Sequence, residues 1–164
     1  MTLIDVINSN LHIQDTVLDI GCGDKSLTKQ FKCKKIITLD AWGKVKPDIL
    51  IDLEISDIPF SENVIDVIIM LDFIEHLDKD RGFIIMEQSK IVAKRMIILL
   101  TPLWWQDNSI NVNNKDMWCY GNNYDYHKSL WCLEDFKEWK RFTDNDVSDS
   151  YFFGAYTCKG VDNV

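Results

Sequence analysis

Val17-Leu18-Asp19-Ile20-Gly21-Cys22-Gly23 decides how the rest of this chain is read. Val17, Leu18 and Ile20 suit a buried strand, and two glycines end it. A glycine turn at the end of a buried strand lets a ligand approach backbone N–H groups closely. Two glycines alone often mark only a tight turn. Asp19 sharpens the signal, because a carboxylate inside a strand is costly unless it is paired. Placed there, it can organise the glycine loop and meet a ligand ammonium. Asp40 ends the next apolar run, Ile36 to Leu39, 17 residues after Gly23. That is about where an acidic residue meets ribose hydroxyls in nucleotide-binding α/β folds.

Working outward, β-branched apolar runs alternate with helical stretches, the pattern of a parallel sheet with crossover helices. Leu3 to Asn10 reads as a leading helix. Leu27 and Phe31, four apart, predict a short helix after the glycine loop. Ile49-Leu50-Ile51 reads as a third strand ending at Asp52. Val64 to Leu71 is the most apolar run and suits a central strand. Asp78 to Lys94 reads as a helix whose buried stripe holds Ile84, Ile85, Ile91 and Val92. Met96 to Leu100 is a fifth strand, closed by Thr101-Pro102. Residues Leu103 to Leu130 show no period and are rich in Asn, Asp and aromatics. Leu133 to Phe142 is expected to be helical, with acids early and Lys137, Lys140 and Arg141 late, as the helix dipole favours. The tail to Lys159 is expected to hold two antiparallel strands.

At 164 residues the chain suits a single domain, 1–164. Its 46% apolar and 27% charged residues are ordinary for a globular protein. The net charge of −8 argues against broad binding to duplex DNA, which requires neutralised phosphates. No apolar run is long enough for a membrane span. Five cysteines, an odd count, and no secretory signal pattern at the N-terminus point to reduced thiols in the cytoplasm.

The ordered set of motifs resembles the class I S-adenosylmethionine-dependent methyltransferases, in particular those acting on small molecules. Val17 to Gly23 resembles their glycine loop, Asp40 their ribose-binding acid, and Asp52-Leu53 the pair near the adenine. Phe60 to Ile68 resembles the approach to their fourth strand. Leu71-Asp72-Phe73-Ile74-Glu75-His76-Leu77 resembles the segment after that strand, which often carries a Glu-His pair. Trp131 to Phe136 resembles a late helix start. The likeness covers Thr16 to Phe142. Two positions depart from it: Lys25 stands where a third glycine is common, and Cys132 replaces a Ser or Thr cap.

The resemblance implies a Rossmann-like, doubly wound α/β fold. Its seven-stranded sheet is mostly parallel, with an antiparallel C-terminal strand. It also implies S-adenosylmethionine as cofactor and S-adenosylhomocysteine as product. The expected cofactor contacts are Asp19, Gly21, Cys22, Gly23, Asp40, Ala41, Asp52, Leu53 and Leu71, with Cys22 structural rather than nucleophilic. His76 is the first candidate for a general base, with Asp72 and Glu75 beside it. The 103–130 segment is expected to form a lid or substrate wall, and Trp104, Trp105, Tyr124, Tyr126 and His127 are its acceptor-binding candidates. A small-molecule acceptor bearing a hydroxyl, amine or carboxyl is expected, and no metal is assigned. Two alternatives stand beside this. Asp72, Glu75, His76 and His127 resemble the metal set of small-RNA 3′-end methylases, which implies a metal-dependent RNA 2′-O-methyltransferase. A non-catalytic cofactor-binding protein is the other. A nucleotide oxidoreductase is disfavoured, because Ser26 stands where GxGxxG needs its last glycine.

Overall fold

The computed structural model describes residues 1–142 and 147–158. Helix α1 (Leu3–Asn10) comes first. Thr2 and Asp5 cap its start reciprocally, the Thr2 side chain taking the Asp5 N–H at 3.1 Å and Asp5 the Thr2 N–H at 3.0 Å. Strands β1 (Thr16–Ile20), β2 (Lys35–Asp40), β3 (Ile49–Leu50) and β4 (Ile65–Leu71) follow. After them come helix α2 (Lys79–Val92) and strand β5 (Ala93–Pro102). The chain ends in the short helix α3 (Ser109–Val112) and strands β6 (Lys140–Arg141) and β7 (Tyr151–Thr157).

Among the described residues, seven strands lie in the order β3-β2-β1-β4-β5-β7-β6. β1 pairs in parallel with β2 and β4, and β4 with β5. β7 runs antiparallel to both β5 and β6. The sheet is therefore the mixed, mostly parallel one expected, with antiparallel pairing at its C-terminal edge. The central strands read as unbroken apolar runs because both faces are covered. Along β4, Ile68 and Met70 join the cluster under α2, while Val67 and Ile69 join the cluster under α1. Because the strand order reverses between β1 and β4, a crevice opens at the carboxyl ends of those strands. No helix among the described residues is long and apolar enough to cross a membrane.

Three local expectations are corrected. Leu27 to Phe31 is not a helix but a single 3-10 turn, Thr28–Gln30. Its ends are held by side chains: Thr28 bonds Asp19, and Asn8 of α1 clips the Gln30 carbonyl and the Lys32 N–H. In α2, Ile85 and Val92 are buried, but Ile84 and Ile91 face out. Adjacent residues on a helix lie about 100° apart, so the sheet takes one line and not both. Leu133 to Phe142 is also not a helix. Only Leu133–Phe136 turns, as a 3-10 segment, and Lys140 and Arg141 pair with Ala155 and Gly154 of β7. Trp139 packs against Phe152 and Tyr156, and this tertiary pairing overrides helix propensity. Of the two antiparallel strands expected in the tail, the described residues show one, β7, whose antiparallel partner β6 lies inside the stretch expected to be helical. Lys159 lies outside the described residues.

Candidate active site

The crevice holds a cavity of about 490 Å³, formed where the carboxyl ends of β1, β2 and β4 meet the 103–130 segment. Its first half is built from backbone. Gly21 and Gly23 take left-handed conformations, φ 71° and 51°. They turn the chain back so that the Gly21 N–H donates to the Leu39 carbonyl at 2.8 Å. A side chain at Gly21 would meet Phe73, with a Cβ only 2.5 Å from its ring. Lys25, in the place of a third glycine, also sits left-handed at φ 63°. It keeps the loop's shape at the steric cost that a glycine avoids.

Asp40 ties this loop to the end of β2. Its carboxylate accepts the Gly23 N–H at 3.0 Å and the Trp42 N–H at 2.8 Å. Lone pairs remain on both oxygens, so the same group can still take two hydroxyl donors. Asp19 is buried, and its carboxylate accepts the Thr28 hydroxyl at 2.5 Å. Burial pushes its pKa up to about 6, against the lowering effect of that bond, and nearby Asp40 adds to the rise. Thr28 gives no signal in the sequence, because it becomes a partner of Asp19 only through the 3-10 turn. Burial, helped by Asp40 and Asp19, pushes the Cys22 thiol up to about 12, so it stays protonated and non-nucleophilic. All five cysteines are free thiols.

The second half is built from side chains. Asp72 follows β4 directly and holds a left-handed φ of 47°, unusual for a residue with a Cβ. Its backbone N–H is fixed by the Leu100 carbonyl at 2.9 Å, and the residue opens into the cavity. The residue is exposed to the open crevice, whose surrounding protein still strips part of its water. That desolvation, with Asp125 adding repulsion, raises its pKa to about 6. Asp125 is raised to about 6 as well, first by burial. His76 is driven down to about 4 by burial and by its neighbour His127, so its ring is neutral. The two rings meet edge-on with centroids 4.8 Å apart.

Every residue expected to contact the cofactor, from Asp19 to Leu71, lines this one cavity. So do Asp72, His76, Tyr124 and His127. Glu75 does not. It lies behind the wall with 1% exposure, accepting the Thr101 hydroxyl at 2.9 Å, and its backbone carbonyl takes the N–H groups of Lys128 and Ser129. Burial, then repulsion from Asp72, raises its pKa well above the usual carboxylate range. Trp104, Trp105 and Tyr126 also lie off the cavity wall. Trp104 stacks edge-on against Tyr151, and Trp105 is more than half exposed. The wall recruits Gln106, Asn108, Asn111, Trp118, Asn122 and Asp125 instead. Polar residues in an aperiodic stretch are individually silent in a sequence, and only the folded loop shows which of them face inward.

The family model described as a methyltransferase domain matches residues 18–95, from the first strand to the start of the fifth. Among solved structures, the chain resembles an S-adenosylmethionine-dependent methyltransferase from Clostridium acetobutylicum. The two are 14% identical with a TM-score of 0.63, over 95% of this chain and 88% of that one. A candidate methyltransferase from Bacillus halodurans matches at 15% identity and a TM-score of 0.60, over 85% of this chain and 68% of that one. The small RNA methyltransferase HEN1 matches at 16% identity and a TM-score of 0.58, over 96% of this chain but only 24% of its own length. A search of curated proteins finds no significant match. Fold and motifs together define a Rossmann-like methyltransferase domain. The chain therefore carries a methyltransferase-domain match over residues 18–95 and the fold of the S-adenosylmethionine-dependent methyltransferases it resembles.

Proposed function

We propose that residues 1–164 act as one domain that moves the methyl group of S-adenosylmethionine to a hydroxyl, amine or carboxyl of a small-molecule acceptor. One observation carries the reading. The glycine loop, Asp19 and Asp40 share a single cavity with Asp72, whose carboxylate is open to an incoming group. The residues fit the cofactor. Gly21 leaves no room for a side chain, Asp40 retains free lone pairs, and Asp19 offers a carboxylate to an ammonium. Asp52, Leu53, Ala41 and Cys22 complete its wall, and Leu71 brings the end of β4 alongside. When bound, the cofactor supplies an already activated sulfonium methyl. The protein's part is to hold the acceptor in line, which is worth on the order of 7–11 kcal/mol at best.

Asp72 is the better base for a hydroxyl or protonated amine. A group near 6 matches neutral operation, whereas an imidazole near 4 gives little drive for proton removal. Glu75 serves by position, fixing Thr101 and the return of the 103–130 segment. The five free thiols agree with a cytoplasmic setting. The test is methyl transfer from labelled S-adenosylmethionine to a panel of hydroxyl-, amine- and carboxyl-bearing acceptors. Asp72→Asn is expected to slow transfer to a hydroxyl or amine by about 10²–10⁴-fold, with cofactor binding kept. Unchanged turnover in that variant removes Asp72 from the chemistry.

A second reading has its own observation. Glu75, His76 and His127 each place one ligand atom within 4.8 Å of the others. Glu75 Oε1 and His76 Nδ1 are buried with no hydrogen-bond partner among the described residues. A nitrogen and oxygen set with two unsatisfied atoms fits a divalent transition metal. Bound there, a cation would supply Lewis acidity to an acceptor oxygen such as an RNA 2′-hydroxyl, in keeping with the likeness to the small RNA methyltransferase HEN1. Chelator-treated protein that loses transfer and regains it with Mn²⁺ or Co²⁺ supports this reading. Full activity of verified metal-free protein rejects it.

A further inference from the structure

The 103–130 segment lines the cavity as one internally bonded piece. Val112 and Cys119 are buried within it, at 1% and 2% exposure. The Gly121 N–H donates to the Val112 carbonyl at 2.9 Å, and Asn108 bonds both the Asp125 carbonyl and the His127 N–H. Such a unit moves as a body more readily than it unravels. Its two roots are fixed. One is the end of β5, and the other is the Lys128-Ser129 backbone bonded to Glu75.

Midway along it, Trp118 packs on the glycine loop rather than beside Asp72 and His76. Its ring lies on Gly23, so close that a Cβ at that glycine would sit 3.1 Å from it. Its other neighbour is Trp42, at 6.2 Å between ring centroids and 54° between planes. Trp42 belongs to the turn that Asp40 holds through its N–H, and Lys44 Nζ lies 4.9 Å from the Trp42 ring centre. The middle of a segment rooted beside the acceptor groups thus rests on the glycine loop and on the turn after β2. Trp118 is nevertheless 46% exposed. Just over half of its surface is covered by these contacts, so it can latch the segment and still open without unpacking the core.

We propose that Trp118, latched against Gly23 and Trp42, is a cofactor gate: S-adenosylmethionine enters and S-adenosylhomocysteine leaves only when the segment lifts from the glycine loop. This rests on reading the cavity as the cofactor site. It goes beyond a substrate wall, because it assigns the same segment control of cofactor exchange. It also accounts for the glycine at position 23, where a side chain would wedge the latch open as well as strain the turn. Product release is then coupled to opening of the acceptor pocket, since one body lines both.

The test follows labelled S-adenosylhomocysteine binding and release by rapid filtration. A gate slows both directions, so Trp118→Ala should raise the association and the dissociation rates together, dissociation at least tenfold. Trp118→Phe should recover most of the slow release, and Trp42→Ala should shift both rates the same way as Trp118→Ala. Trp105→Ala, off the cavity, should leave both rates unchanged. A faster release with unchanged association makes Trp118 a wall contact and overturns the gate, as does no change in either rate. Failure of the wild-type protein to bind S-adenosylhomocysteine overturns the cavity reading itself, and is distinguished by occurring before any variant is compared.

Discussion

The two halves of the cavity are made in opposite ways. The half proposed for the cofactor is held by the sheet: its glycines, Asp19 and Asp40 emerge at the ends of adjacent parallel strands in fixed register. The half proposed for the acceptor is side chains: Asp72 and His76 follow β4, and the rest lie on a loop hydrogen-bonded within itself. A site that borrows a sheet's register is rigid and tolerates little. One carried on a self-packed loop can change its lining without disturbing the fold.

Rate is where the acceptor half should show its largest effect, through Asp72→Asn as described above. In stability the halves should separate at two left-handed glycines. Gly21→Ala forces both a strained φ and a clash with Phe73, and should cost about 2–5 kcal/mol. Gly121→Ala has a similar φ, 76°, but nothing within 4 Å of a new Cβ. It should cost only the backbone term, about 1–2 kcal/mol. Chemical denaturation measures both, and equal losses would erase the distinction between the halves.

Asp19→Asn sharpens the comparison from the side of charge. A carboxylate raised from 3.8 to about 6 in the folded protein favours the native state while it is protonated. That stability is present below 3.8 and lost as pH rises toward about 6. The amide escapes the loss, so the ligand-free variant should be more stable than wild type at pH 7, by on the order of 2–3 kcal/mol. Its affinity for S-adenosylhomocysteine should fall, because the ammonium loses its ionised partner. In the wild type that affinity should rise with pH up to about 6 and then level off. A variant that is no more stable at pH 7 than at pH 4, relative to wild type, contradicts the assignment. The smallest effect belongs to Lys25→Gly. It relieves the strain at φ 63° but frees the unfolded chain, leaving a gain of about 0.5 kcal/mol.

This division also explains what could be read in advance. Val17 to Gly23, Asp40 and Asp52 were legible because strand ends carry both their pattern and their neighbours in the sequence. Glu75 converges with His76 and His127 but is buried behind the cavity wall, a depth that adjacency in the sequence does not reveal. Composition points to Trp104 and Trp105, but Trp104 packs edge-on against Tyr151 and Trp105 lies more than half exposed off the cavity wall. Asp125 and Trp118 became site residues only through turns that Asn108 and Asn122 fix with their side chains. The helix expected at Leu133 to Phe142 failed for the same reason: its outcome depended on β7, a partner distant in the chain.

The central claim is that the glycine loop and Asp40 form a cofactor site on a rigid sheet edge. Titration calorimetry with S-adenosylhomocysteine at pH 7.5 (about 1.5 units above the raised Asp19) tests it most directly. One site per chain is predicted, weakened by about 1.5–3 kcal/mol in a folded Asp40→Ala variant, the scale of hydrogen bonds to a charged group. No binding by the wild type, or equal affinity in the two proteins, would contradict it.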